Sequence, residues 1–170
     1  LYMSVSGTSQ SASVAGGLAA LTREFIREQV NIASPSASLI KAAMINGADD
    51  LGAPDIPNQN EGWGQLNLEN TVMPTDGSQV LSTYFDDGKV LQPSFGLVYE
   101  LAMDPSHGID ITLAWNDDPG SANSPQSEAK LVNDLDLLLI APNGDTWLGN
   151  NFASGFSVTG GTADSINNVE

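Results

Sequence analysis

The chain has 170 residues, 41% of them hydrophobic and 15% charged, which is enough apolar material for one sizeable core or two small ones and excludes wholesale disorder. Its formal charge of -16 at pH 7 argues against nucleic-acid or anionic-membrane partners. It has no cysteine, so disulfides, thiol catalysis and thiolate metal sites are excluded together, leaving hydroxyl nucleophiles and oxygen ligands. No apolar run reaches the ~18 residues of a membrane-spanning helix, and Leu1-Tyr2-Met3 is too short for the core of an export signal.

The charge is unevenly spread. Residues 1–48 hold Arg23, Arg27 and Lys41 against Glu24 and Glu28, whereas the remainder sets 19 carboxylates against Lys89 and Lys130 alone. The asymmetry places a boundary near Thr71 to Gly77, between segments of different structural type.

In the first segment, an apolar stretch from Leu1 to Val5 runs into Ser6-Gly7-Thr8-Ser9, small residues suited to a strand, a tight turn and a helix start. From Gln10 to about Gln29, Val14, Leu18, Leu21 and Phe25 recur at helical spacing, while Arg23, Glu24, Arg27 and Glu28 gather late. The expectation is a helix buried in its first half and solvated in its second. Gly16-Gly17 costs roughly 1 kcal/mol per glycine in a helix interior, so close backbone packing is expected there. A second helix is expected from Ser36 or Ser38 to Asn46, stopped by Asn46-Gly47. A loop rich in Gly, Pro, Asp and Asn fills 49–60, and Gly62-Trp63-Gly64 follows.

Beyond Asn70 no good helix is legible, and the periodicity turns to alternation. Ile109, Ile111, Leu113 and Trp115 read as the inner face of one strand, and Leu97, Tyr99, Leu101 and Met103 as that of another. Leu135 to Ile140, the turn Ala141-Pro142-Asn143-Gly144 and Thr146-Trp147-Leu148 read as strand, turn, strand. Several short strands imply an antiparallel sandwich or barrel, with 116–130 a long polar loop. Asp49-Asp50 and Asp86-Asp87 read as solvated turns, and the acidic surface as a solubility feature suited to high salt. No carboxylate pair has a glycosidase context, and no phosphate loop or His-rich metal motif is present.

Two places carry candidate chemistry. Ser9 lies at the first turn of the first helix, where unpaired N–H groups and a partial positive charge can stabilise an oxyanion beside its hydroxyl; by position alone the helix cap is the stronger of the two readings. The densest oxygen cluster is Asn133-Asp134-x-Asp136, with Asn150-Asn151 and Asp164 farther on. On a strand Asp134 and Asp136 share a face and could converge on one calcium ion; by spacing alone a polar rim of turn caps fits as well.

Ser6-Gly7-Thr8-Ser9, Pro35 to Ala43, Asn46-Gly47-Ala48-Asp49 and Gly62-Trp63-Gly64-Gln65-Leu66-Asn67 resemble, in order, the C-terminal portion of a subtilisin-like serine protease catalytic domain. Trp115-Asn116-Asp117, Leu131 to Leu137, Ala141-Pro142-Asn143-Gly144, Gly149-Asn150-Asn151-Phe152 and Asn167-Asn168-Val169-Glu170 resemble the β-sandwich that follows that domain in an oxidatively stable bacterial branch of subtilases. The implied fold class is an α+β fragment: the C-terminal helices of a subtilisin-like α/β catalytic domain at 1–72, then an antiparallel, jelly-roll-like β-sandwich at 73–170, expected to be incomplete at its C-terminus.

The resemblance implies a secreted serine endopeptidase acting on protein or peptide substrates, with Ser9 as nucleophile and Thr8 lining the substrate pocket. In the family's chain order of Asp, His, Ser, the triad histidine and aspartate belong to an N-terminal part of the same protease, upstream of Leu1, so the 170-residue chain alone is expected to be inactive. His107, in Asp104-Pro105-Ser106-His107-Gly108, reads as a surface turn residue outside the triad. Subtilases with calcium in this sandwich imply a structural calcium site with Asp134, Asp136, Asn151 and Asp164 as ligands; the residue at position 151 is typically an aspartate in them. Gln10-Ser11-Ala12-Ser13 replace the usual Met-Ala-Thr-Pro after the serine, so the oxidisable thioether beside the nucleophile is gone. The other class of function open to the chain is a non-catalytic sandwich module that binds or stabilises.

Overall fold

A computed structural model describes residues 6–75, 77, 80–104, 106–125 and 130–170. Three helices, α1 Thr8–Glu28, α2 Ala37–Asn46 and α3 Leu68–Val72, precede three strands, β1 Leu138–Ile140, β2 Thr146–Ala153 and β3 Phe156–Thr159. The chain is thus α+β, with its helices in the first segment and its sheet in the second.

α1 begins behind Gly7, whose φ of 150° puts it outside the helix and whose lack of a side chain leaves the N-terminus without a side-chain cap. Burial runs opposite to expectation. Thr22 and Ile26 in the second half are buried, while Val14 in the first half is 61% exposed. The core explains the reversal: Ile26, Leu39 and Ala43, joined by Phe25, Val30, Ile32 and Phe85, form where α2 packs on the C-terminal half of α1. A Cβ added at Gly16 or Gly17 would meet nothing within 4 Å, so the close packing expected of that pair is not found among the described residues. It is found at Gly47, where a Cβ would stand 2.5 Å from the backbone nitrogen of Thr71. Glycine there lets the end of α2 lie directly on α3.

α2 is capped by Ser36, whose Oγ accepts from Leu39 N at 3.0 Å. Asp87 then grips the cap, accepting from the Ser36 amide at 2.8 Å and from its hydroxyl at 2.6 Å. Asp49 holds α3 in a similar way, its two carboxylate oxygens accepting from Asn67 Nδ2 at 2.9 Å and Asn70 Nδ2 at 2.7 Å. Both aspartates were expected in solvated turns; both instead fasten helix ends, because a carboxylate can accept from several donors at once. α3 itself straddles the point after which no helix was expected, and Asn67 caps it by accepting from Asn70 N.

β1 and β2 pair antiparallel in the register Leu138 with Leu148 and Ile140 with Thr146, around the expected turn. β2 and β3 pair through Phe152 with Ser157, across a two-residue turn in which Ser154 and Gly155 both have positive φ, 53° and 77°. That geometry matches the right-handed twist of the flanking strands. The strand expected over 109–115 is a single bridge, Ala114 with Val169, held by Leu113 N to Glu170 O at 2.6 Å and Glu170 N to Leu113 O at 2.8 Å. No strand forms over 97–103 among the described residues, where Leu97, Tyr99, Leu101 and Met103 are exposed. Alternation marks a face suited to burial, but a ladder needs a partner, and no described segment pairs there.

Besides the grip of Asp87 on Ser36 and the packing of Phe85 on Phe25, the first and second segments meet farther along the chain. Lys41 Nζ donates to Asn168 Oδ1 at 2.7 Å, Asn46 Nδ2 to Thr112 Oγ1 at 3.1 Å, and Trp63 meets Phe152 edge to face with ring centroids 6.3 Å apart.

Candidate functional site

Gly7 takes the cap position of α1, so Thr8 and Ser9 fall in its first turn. Gln10 N and Ser11 N are occupied by Gly7 O, at 3.1 and 3.2 Å, and Ser13 Oγ donates to Ser9 O at 2.9 Å. The Ser9 hydroxyl is therefore not spent as a helix cap. Among the described residues it has no hydrogen-bond partner, and the first turn holds no acidic side chain to offset the helix's positive end. The cap reading, open at the level of sequence, is closed by Gly7.

Serine, histidine and aspartate do meet elsewhere, at the turn 104–107. Ser106 Oγ donates to Asp104 Oδ1 at 2.6 Å and lies 3.1 Å from His107 Nδ1, while Asp104 Oδ2 lies 3.7 Å from that same nitrogen. A relay needs the carboxylate on one ring nitrogen and the hydroxyl on the other. Here both crowd Nδ1, so the group is a turn brace, as expected of His107. The bond from Ser106 Oγ, then that from its backbone, holds the Asp104 carboxyl below its ordinary range.

The oxygen-rich region lies at the other end of the chain. Asp134 and Asp136 precede β1, both exposed and separated by half-buried Leu135, as the alternation requires. Asp164 accepts from Asn150 Nδ2 at 2.5 Å, Asn167 Nδ2 at 2.6 Å and Ile166 N at 2.7 Å. Burial alone would raise its carboxyl, but these bonds together outweigh it and hold the group below its usual value. Asn151 stands apart from this group, donating through Nδ2 to Val158 O at 3.0 Å and Gly160 O at 2.6 Å.

Two residues of this region that the sequence reading did not name as ligands are held in buried surroundings. Glu170 is 5% exposed; its Oε2 accepts from Leu137 N, while its Oε1 is buried without a partner. Burial first, and then the like charges of Asp136, Asp164 and Asp134, push its carboxyl above the usual range. Asn150 sends Nδ2 to Asp164 and to Val169 O and leaves a buried Oδ1 unpaired. The only sequence signal for Glu170 was its place after Asn167-Asn168, since nothing marked it as buried.

A separate group of carboxylates comes closer together. Among the described residues, Asp50, Asp55 and Glu61 bring ligand oxygens within 4.8 Å of one another and could hold a metal ion. Glu61 is also engaged in the loop, accepting from Leu51 N at 3.0 Å and Asn58 Nδ2 at 2.9 Å.

With helix start and turns in place, comparison with known proteins gives the class. The sequence model of the Subtilase family, a family of serine proteases, matches residues 1–64, the segment that holds α1, α2 and the Gly62-Trp63-Gly64 turn. Residues 1–64 belong to that family, as part of a subtilisin-like protease fragment. It is also similar to the serine protease/ABC transporter B family protein tagA of Dictyostelium discoideum, 32% identical over 155 residues that cover 82% of this chain and 8% of that protein. The chain thus spans a small fraction of the length of the relative it matches.

Proposed function

We propose that this chain forms the serine end of a secreted subtilisin-like endopeptidase, with Ser9 as the nucleophile. The observation that carries the reading is the free Ser9 hydroxyl in the first turn of α1, inside the matched segment, with Gly7 rather than serine as the cap. Ser9 attacks the carbonyl carbon of the scissile peptide bond, its own N–H at the positive helix end donates to the developing oxyanion, and Thr8 lines the pocket beside it. The base that takes the Ser9 proton is a histidine oriented by an aspartate, both from the N-terminal part of the same protease. His107 is braced in its own turn and does not serve.

In this reading 1–72 completes the peptidase domain, and 73–170 is a β-sandwich whose first paired strands are β1, β2 and β3. The sandwich binds a structural calcium ion. What supports it is the chemistry of the donors: Asp134 and Asp136 are exposed on either side of half-buried Leu135 just ahead of β1, Asp164 gathers amide partners, and carboxylate and amide oxygens are what a hard cation takes. Asn151 is the poor fit, because its amide is committed to β3 carbonyls.

The test is labelling of the intact protease with a fluorophosphonate followed by peptide mapping. Label on Ser9, lost together with peptidase activity in Ser9→Ala, supports the proposal; label on another serine overturns it. The 170-residue chain alone is expected neither to label nor to cleave.

A further inference from the structure

We propose that the intact protease cuts its own chain within 96–103, and that the two pieces stay joined after the cut. The inference rests on the peptidase reading above and names one substrate for it, this protein itself.

An endopeptidase takes its substrate as several residues of extended backbone whose N–H and C=O groups are free to pair with the cleft. Folded chains seldom offer such a stretch, because their backbone groups are spent in helices, sheets and turns. Residues 92–104 form the longest exposed run among the described residues. Within it, 96–103 contains no helix, turn or bend, and none of its backbone N–H or C=O groups makes a hydrogen bond to another described residue. Val98 is 88% exposed, and Leu97, Tyr99, Leu101 and Met103 stand about half in solvent. One side-chain hydrogen bond ties the segment down among the described residues, from Tyr99 to Asp86 at 2.6 Å.

Both ends of the segment are held. On one side Phe95 N donates to Gln92 O at 3.0 Å, closing a turn with Ser94 at φ 66°. On the other stands the brace of Asp104, Ser106 and His107. Fixed ends reduce the freedom the segment loses on entering a cleft. In the cut, Ser9 Oγ adds to a carbonyl carbon of the segment, the peptide C–N bond breaks, and the nitrogen leaves as a new amino terminus with the proton taken from the serine. Water then hydrolyses the ester, giving a new carboxylate and restoring the hydroxyl. The pieces remain joined because Lys41 with Asn168, Asn46 with Thr112 and Trp63 with Phe152 each link a residue before the segment to one after it.

Incubation of the intact protease tests this, with denaturing electrophoresis, mass spectrometry of the fragments and native gel filtration. Wild type is expected to give first fragments that end within 96–103 and elute together, while Ser9→Ala stays whole until wild type is added. Leu101→Pro, placed in the Ser9→Ala chain, removes an N–H that the cleft pairs with and should slow the added cut about tenfold or more; Val98→Pro serves if circular dichroism shows that Leu101→Pro does not fold. An unslowed cut in a folded proline variant overturns the inference. Wild type that cleaves casein yet leaves 96–103 whole, or that cuts itself first elsewhere, overturns it and leaves the peptidase reading standing. Pieces that separate in gel filtration overturn their joining. Wild type that cleaves neither casein nor itself overturns the peptidase reading, and this inference with it.

Discussion

Lys41 of α2 reaches across to Asn168, its ammonium donating to the side-chain oxygen at 2.7 Å, while Asn168 Nδ2 donates to Trp115 O at 3.1 Å. A helix of the subtilase segment is thereby tied to the C-terminal segment that bridges to Ala114. Burial lowers the pKa of Lys41, so the ammonium contributes through this one well-formed bond rather than through solvent exposure.

Replacing Lys41 with methionine keeps the apolar stem and removes the donor. The expected loss of stability is about 1–2 kcal/mol, the ordinary value of a hydrogen bond from a charged group. Asn168→Ala should cost a similar amount, and the double variant less than the sum of the two. Urea denaturation of all four proteins measures this; strictly additive losses would show that the bond contributes nothing.

The two glycine environments give opposite expectations. At Gly47 the Thr71 backbone occupies the space a Cβ would need, so Gly47→Ala should destabilise by roughly 1–3 kcal/mol. At Gly17 that space is open, and in the 170-residue chain Gly17→Ala should stabilise by about 1 kcal/mol through helix propensity. Thermal midpoints of the two variants should move in opposite directions.

Gln10 follows Ser9 in the first turn of α1, with its side chain beside the cap glycine. On the proposed role of Ser9, the intact protease should keep its activity in hydrogen peroxide. Gln10→Met places a thioether next to the nucleophile and should make activity decay in peroxide, because methionine oxidises to the bulkier, polar sulfoxide. Equal decay of both proteins would remove the link between this position and oxidative resistance.

Tyr99 donates its phenol proton to Asp86 at 2.6 Å, and that bond is the main cause that pushes the phenol up to about 12 from 10.0. The same bond is the main cause that lowers Asp86. The stabilising effect of the raised phenol is fully present below its unfolded value of 10.0 and is lost as pH rises from there through about 12. Ultraviolet titration should show Tyr99 ionising near 12, and Asp86→Asn should bring it back toward the ordinary value. A Tyr99 midpoint unmoved by that substitution would mean the bond is not formed in solution.

The sequence made visible those elements whose signals are local. α2 was legible because Ser36, the apolar run after it and Asn46-Gly47 act within one another's reach. The turn at Ala141 to Gly144 was legible for the same reason. Ser154-Gly155 carried a turn signal as well, and β3 could have been read from it. What stayed hidden depends on distant partners. The burial of α1 follows from where α2 lies, not from the spacing of Val14 and Leu18. Asp87 reads as a turn residue until Ser36 is placed beside it, and the burial of Glu170 depends on Leu137 and Gly149 lying against its carboxylate. The alternation over 97–103 described a face correctly suited to burial but could not supply a partner strand.

The grip of Asp87 on Ser36 spans 51 positions. The start of α2 is therefore finished by a side chain that leaves the ribosome well after the helix itself has emerged. At a synthesis speed of about 5–20 residues per second, several seconds separate the two events. During that interval α2 has only its own serine hydroxyl at its leading end, and the Phe25 ring lacks Phe85, which stacks edge-on against it with centroids 6.4 Å apart. The helical segment of this chain is thus assembled in two stages in time, the second set by the arrival of 85–87.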